Sequence, residues 1–262
     1  MSENAQKTKK KTETKTVERY SWIERWTHTF HALAMLLLIF TGLAIYFGWD
    51  FISFHNARML HMLVVPVLLL TNWFLVPYGI ISHGWQEGKI KGIIHHFYYS
   101  YIFNIEDYRR LKGMVLNFFG KQDKYPEFTV YNEKTGHYKT KLHPMFKIFI
   151  VVEGMSIFLI FITGLVLYNV DLTILLPISG IITWIFGLVA PLLNMNALEL
   201  IRWLHLALTY FFIFELICHV LILEFDTKVF KYWKSIFIDG KEDLNSPVVE
   251  VISEDHGNGD HH

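Results

Sequence analysis

Two histidines within one apolar stretch are the first residues with chemistry to offer. Residues 198–223, LELIRWLHLALTYFFIFELICHVLIL, hold His205 and His219, 14 residues apart. At about 100° per residue the second returns to within roughly 40° of the first, so both share one helix face. At about 1.5 Å per residue they lie roughly 21 Å apart along the axis, against about 30 Å of hydrocarbon in a bilayer. Ionisable side chains at such depth are costly and by default functional. Neutral imidazole is a good iron ligand, and haem iron is commonly held by it. The spacing predicts one helix that presents an imidazole near each membrane surface and helps ligate two stacked b-type haems. Each haem then needs one further histidine from another helix.

The composition agrees with a membrane protein. Of 262 residues, 52% are hydrophobic and 16% aromatic, too apolar for an ordinary soluble domain. The formal net charge is zero, which gives no electrostatic footprint for a nucleic acid. The single cysteine, Cys218, excludes an internal disulfide, a c-type haem attachment and an iron–sulfur cluster held by this chain. Electrons that pass through it must come from a cluster in another subunit.

The elements that would position these histidines read as an all-α integral membrane protein. Four spans are expected at 27–49, 57–80, 145–169 and 198–223, each about the length a bilayer requires. Residues 1–19 read as a polar, disordered cytoplasmic tail, without the cleavage site of a signal peptide. Residues 20–235 form the di-haem domain, and 236–262 a polar C-terminal tail. The connection 82–144 is too charged to span and is expected to carry amphipathic helices on the membrane surface. Residues 172–193 are apolar but interrupted by Pro177, Gly180 and Pro191. The segments LIFTGLAIY and IFITGLVLY share a Thr-Gly, Thr41-Gly42 and Thr163-Gly164, and small residues of this kind allow close approach to a helix.

Charge sets the orientation. Of 24 lysines and arginines, 22 fall in the N-terminal tail through Arg25, the long connection through Lys147 and the C-terminal tail. Only Arg58 and Arg202 fall in the two remaining loops. The positive-inside rule then puts both termini in the cytoplasm of an inner-membrane protein. It requires an even number of spans, so 172–193 is expected as an outer-face re-entrant or interfacial segment. In that topology His28 and His219 share the inner depth, and His61 and His205 share the outer depth. Arg25, Arg58 and Arg202 each precede a member of these pairs by three residues and share its helix face. One turn nearer to water, they suit bidentate pairing with haem propionates.

At these residues the chain resembles a known family. ERWTHTFHALAMLLLIFTG (24–42), ARMLH (57–61) and IRWLHLALTYFFIFELICH (201–219) resemble, in order, three helix motifs of the di-haem cytochrome b subunits of respiratory formate dehydrogenases (gamma subunit) and membrane-bound nickel–iron hydrogenases. The resemblance covers about residues 20–235. It departs in the apolar 172–193 insertion, in the length of the inner connection and at Thr29, where the family often has tryptophan. It implies a respiratory-chain subunit that takes electrons from an iron–sulfur subunit of a hydrogenase or formate dehydrogenase complex at the outer face. They would pass to a quinone or quinone-like carrier near the inner face, with the catalytic site in a partner subunit. Membrane lipid and the quinone pool complete its surroundings.

Other polar residues leave alternatives open. His31, one turn deeper than His28, is either the inner ligand itself or a donor to a quinone or a propionate. Glu153 and Glu215 lie within spans. They read either as a proton path to an inner quinone site or as protonated carboxyls bonded to neighbouring helices. His95 and His96 point about 100° apart on a helix and make a poor chelating pair. No Gly-rich phosphate loop, HExxH or Ser-His-Asp set occurs. A haem-free, proton-coupled transporter using the intramembrane His and Glu residues is the alternative function, and it leaves the 14-residue spacing unexplained.

Overall fold

The computed structural model describes residues 15–168, 176–225 and 231–253. Four helices in it are long and apolar enough to cross a membrane: Trp22–Phe47, Phe54–Trp85, Pro144–Tyr168 and Ala197–Ile222. Helix α1 (Trp22–Phe47) opens on a capping box. The Ser21 N–H donates to the Glu24 carboxylate at 2.9 Å, and the Glu24 N–H donates back to the Ser21 hydroxyl at 3.4 Å, which satisfies two donors at the helix start. It closes on Gly48 in the left-handed conformation, a common helix stop. Helix α2 (Phe54–Leu70) starts at the Ser53 cap and contains Pro66. The missing proline N–H breaks the ladder there. Five residues later the helix widens into one π turn, Thr71–Leu75, before continuing as α3 (Val76–Tyr101).

Helix α3 reverses within itself. Gly88 and Lys89 leave the helical conformation, and Lys89 has a φ of 56°. The chain folds back so closely that a Cβ on Gly84 would sit 2.3 Å from the Ile93 Cα, so glycine is required there. Helix α4 (Ile105–Phe118) follows and is tied to α5 (Pro144–Tyr168). The Lys147 ammonium, fully buried, donates to both Asp107 carboxylate oxygens at 3.0 and 2.8 Å and to the Tyr99 carbonyl at 2.6 Å.

The apolar stretch 172–193 is only partly described, because residues 169–175 lie outside the described residues. Helix α6 (Leu176–Val189) and a 3-10 turn at Ala190–Leu193 form the rest. At about 1.5 Å per residue its 14 helical residues cover about 21 Å, short of a bilayer. Ile182 packs with Val166 of α5 and Ile201 of α7 (Ala197–Phe225). The short helix α8 (Lys231–Lys234) runs directly into a π turn, Ser235–Asp239.

Three expectations are corrected here. The protein is mostly helical but not all-α, since the described residues include five short strands. β1 (Thr16–Glu18) pairs antiparallel with β4 (Lys241–Asp243). β2 (Thr129–Asn132) pairs antiparallel with β3 (His137–Thr140) and parallel with β5 (Val249–Ile252). The connection 82–144 is therefore more than surface helices, and its 129–140 portion is a hairpin. The residues 236–253 expected in a polar tail, and 15–19 expected in a disordered one, are strands and turns of the same folded cap; residues 1–14 and 254–262 lie outside the described residues.

The cap has its own core of Tyr125, Phe128, Tyr131, Tyr138, Tyr232 and Val248, with neighbours from the same segments. At its centre Glu242 accepts three charge-assisted bonds, from Arg19 Nη1 at 2.5 Å, Tyr232 Oη at 2.5 Å and Tyr138 Oη at 2.9 Å. Burial raises both phenols well above their ordinary pKa, so they stay protonated and donate. Arg19 also bonds the Thr129 hydroxyl at 3.0 Å and the Lys141 carbonyl, and lies 3.9 Å over the Tyr232 ring. One residue thereby joins the N-terminal strand, the hairpin and the C-terminal strand. Because Glu242 and Arg19 are each about 1% exposed, Glu242→Ala leaves a buried guanidinium uncompensated. We expect a cost of about 3–5 kcal/mol to the cap, read as a lower denaturation midpoint and faster proteolysis between residues 231 and 253. The two raised phenols also make cap stability fall as pH rises above about 10, the unfolded tyrosine value, and Tyr138→Phe should blunt that loss.

Candidate functional site

The four long helices stack their polar residues in layers. The middle layer is apolar: Ala34 and Met35 of α1, Val64 and Leu68 of α2, Ile157 of α5, and Leu208 and Phe212 of α7. Chain order places His61, His205, Thr41 and Thr163 on one side of it. His28, His31, Glu153, Glu215, His219 and Thr71 fall on the other, the side that carries the cap. Each long helix contributes to both polar layers.

Beyond the apolar layer, two hydroxyls hold two histidines in the same way. Thr41 Oγ1 lies 2.9 Å from His61 Nδ1, and Thr163 Oγ1 lies 2.9 Å from His205 Nδ1. Both hydroxyls also reach a carbonyl of their own helix, Leu37 at 2.7 Å and Ile160 at 2.9 Å. A hydroxyl has one proton. Spent on the carbonyl, it leaves the oxygen to accept from the ring, so each imidazole carries its proton on Nδ1 and keeps a lone pair on Nε2. The next residue in each helix is the shared glycine. Gly42 faces His61 Cε1, where an added Cβ would lie 3.5 Å away, and Gly164 faces His205 Cε1, at 3.3 Å. What the Thr-Gly segments admit is a histidine ring. His61 and His205 are also close enough to interact electrostatically.

On the cap side His28 and His219 face each other, with ring centroids 6.2 Å apart and a 32° tilt. Phe146 stacks on His219 at 4.6 Å and Phe237 meets His28 edge-on at 5.2 Å. The His28 Nδ1 is buried without a hydrogen-bond partner. His31 is placed differently. Its Nδ1 lies 3.2 Å from the Thr71 hydroxyl of the π turn and its Nε2 lies 2.7 Å from Glu153. Thr71 donates to its own helix carbonyls at 2.9 and 3.0 Å, so it accepts from His31, and one proton is left between Nε2 and Glu153. Glu215, 8% exposed, lies within electrostatic reach of Glu153.

The three arginines differ in surroundings. Arg25 Nη1 donates to the Ile238 carbonyl at 2.6 Å, and its Nε is buried without a hydrogen-bond partner. Arg58 lies 5.0 Å over the Tyr168 ring. Arg202 is exposed. The hydroxyls of Thr41, Thr71 and Thr163 are functional candidates that the sequence reading did not single out as histidine partners. The Thr-Gly echo was the available signal for two of them, and nothing local marks Thr71.

The donor set can be tested against a haem. Among the described residues no group of three His, Cys, Asp or Glu side chains converges on one point. A metal held between His28 and His219 would receive two imidazoles from the chain, the protein share that a haem iron requires. Two imidazole nitrogens at about 2 Å from one metal leave their ring centroids about 6 Å apart, in line with the His28–His219 separation of 6.2 Å. The buried Arg25 Nε and His28 Nδ1 are polar atoms left for a partner. The residues fit the group. Since the Gly164 contact is the tighter of the two, Gly164→Ala should displace His205 more than Gly42→Ala displaces His61. Nitrogen NMR of labelled histidine should show the larger change at His205.

No family model matches the chain, and no solved structure matches it. Over 233 residues, 88% of this chain and 85% of the relative, it is 54% identical to the F420 non-reducing hydrogenase II cytochrome subunit of Methanosarcina mazei. The chain belongs to the family of cytochrome subunits of hydrogenase-type complexes.

Proposed function

We propose that this chain is the di-haem b membrane subunit of a hydrogenase-type complex. It passes electrons between an iron–sulfur partner subunit and a quinone-like carrier. The observation that carries this reading is the pairing of four histidines at two depths of one bundle, with the cap-side rings 6.2 Å apart. His61 and His205 would hold one haem, and His28 and His219 the other. Arg25, Arg58 and Arg202 would meet the propionates. When bound, the haems supply one-electron chemistry at two depths. The relative's name denotes a hydrogenase that does not reduce F420, which favours a hydrogenase over a formate dehydrogenase partner and a carrier in the membrane. The count of basic residues supports placing the cap in the cytoplasm and the His61–His205 end at the outer face.

The remaining polar residues of the cap-side layer fit proton delivery to a carrier that is reduced there. His31 and Glu153 share one proton over 2.7 Å and are together neutral, the form in which such a pair is tolerated inside a membrane. Both ring nitrogens of His31 are bonded to protein, which favours His28 as the ligand. Glu215 extends the pair along α7. A haem-free proton-coupled transporter would use the same three residues and leaves the histidine pairs without a role.

The reduced-minus-oxidised visible spectrum of the purified chain, with haem counted per polypeptide, tests the reading. We expect about two b haems, the number of imidazole pairs, and loss of one in His61→Ala, His205→Ala, His28→Ala or His219→Ala. Folded protein without haem, made where haem is plentiful, would sink the proposal. Glu153→Gln should keep both haems and their spectra while slowing reduction of a quinone analogue by about a hundredfold, the usual size of an acid–base contribution. Loss of the cap-side haem in His31→Ala, with His28→Ala unaffected, would move the ligand to His31.

A further inference from the structure

We infer that Thr41 and Thr163 are positioning residues that make the His61–His205 site the more strongly reducing of the two. The inference rests on the two-haem reading above. Each hydroxyl sits between a ligand imidazole and a backbone carbonyl, in the order Nδ1–H to Oγ, then O–H to carbonyl. The distances are 2.9 and 2.7 Å for Thr41, and 2.9 and 2.9 Å for Thr163. A hydroxyl that already donates is a better acceptor, because the bonds of such a chain polarise one another. An imidazole that gives its Nδ1–H to a good acceptor is more basic at Nε2. More basic ligands favour the oxidised iron, and outer hydrogen bonding of this kind is a recognised control on haem potential.

Among the described residues the arrangement occurs twice, at both histidines of one pair. α1 carries Thr41-Gly42 against His61 of α2, and α5 carries Thr163-Gly164 against His205 of α7. Both ligands of one site are thus held in the same tautomer by the same device. At the other site no threonine bonds His28 Nδ1, which is buried with no hydrogen-bond partner. The third such threonine, Thr71, serves His31, whose Nε2 is taken by Glu153. Threonines often bond back to their own helix without further role, but here the lone pair left over is aimed at a ring nitrogen in both halves of the bundle. The two unlike sites give electrons a downhill step from the His61–His205 site to the His28–His219 site.

The test is a potentiometric titration of the full chain, with the His61→Ala spectrum identifying which component belongs to the His61–His205 site. In Thr41→Val and Thr163→Val that component should shift to higher potential. At a fixed potential its reduced-to-oxidised ratio should rise by about three- to tenfold, tenfold being about 59 mV for one electron. The other component should stay in place, and Thr41→Ser and Thr163→Ser should behave as the parent does. Loss of that haem alone in the valine variants, with serine retaining it, also supports the role, because the hydroxyl then decides ligation. An unmoved component, a shift to lower potential, or equal shifts with valine and serine would overturn it. Failure of the two-haem reading shows separately, as absent haem in the parent protein.

Discussion

An imidazole inside a hydrocarbon layer must find partners for two nitrogens where no water is available. The structure depends on how that is met. His61 and His205 give Nδ1 to a threonine and keep Nε2. His31 uses both nitrogens on protein, Thr71 and Glu153. His28 and His219 lie against each other, with ring centroids 6.2 Å apart. Each threonine can serve because a helix carbonyl absorbs its own proton, and Gly42 and Gly164 let the rings of His61 and His205 lie against the helix. The pairing of α1 with α2 and of α5 with α7 follows from these short contacts as much as from the apolar layer between them.

The cap carries the second constraint. Its three chain segments are far apart in sequence, and Arg19, Glu242, Tyr138 and Tyr232 hold them around one buried charge pair. The cap also reaches into the bundle. Phe237 touches His28 and the Ile238 carbonyl binds Arg25. Lys147 and Asp107 fix α4 to the start of α5, beside Phe146, which stacks on His219. The cap-side histidines are therefore walled partly by residues that belong to no spanning helix.

The four long apolar helices, and the meeting of His28 with His219, were legible in the sequence because they follow from length, hydropathy and helical period, which are local. The Thr-Gly echo was visible too, as a close-approach point, although what approaches is a ring whose partner lies on another helix. The sheet was not legible. Thr129 pairs with Val249 in parallel, a contact across more than a hundred residues that leaves no periodic trace in two polar segments. The stretch KEDLNSPVVEVI (241–252) reads as a charged tail until Glu242 is seen to be buried against Arg19. The reversal at Gly88-Lys89 depends on a backbone angle that lysine seldom adopts, so residue type gave no warning of it.

The contact between Arg25 and Ile238 joins residues 213 positions apart. During synthesis α1 emerges first, and α7 delivers His205 and His219 together much later. The His61–His205 pair then has both its histidines and both its threonines. The His28–His219 pair still lacks Phe237 and the turn that grips Arg25, which follow α7. The pair beneath the cap is therefore walled by residues that follow α7 in the chain, while the other pair is complete once α7 is in place.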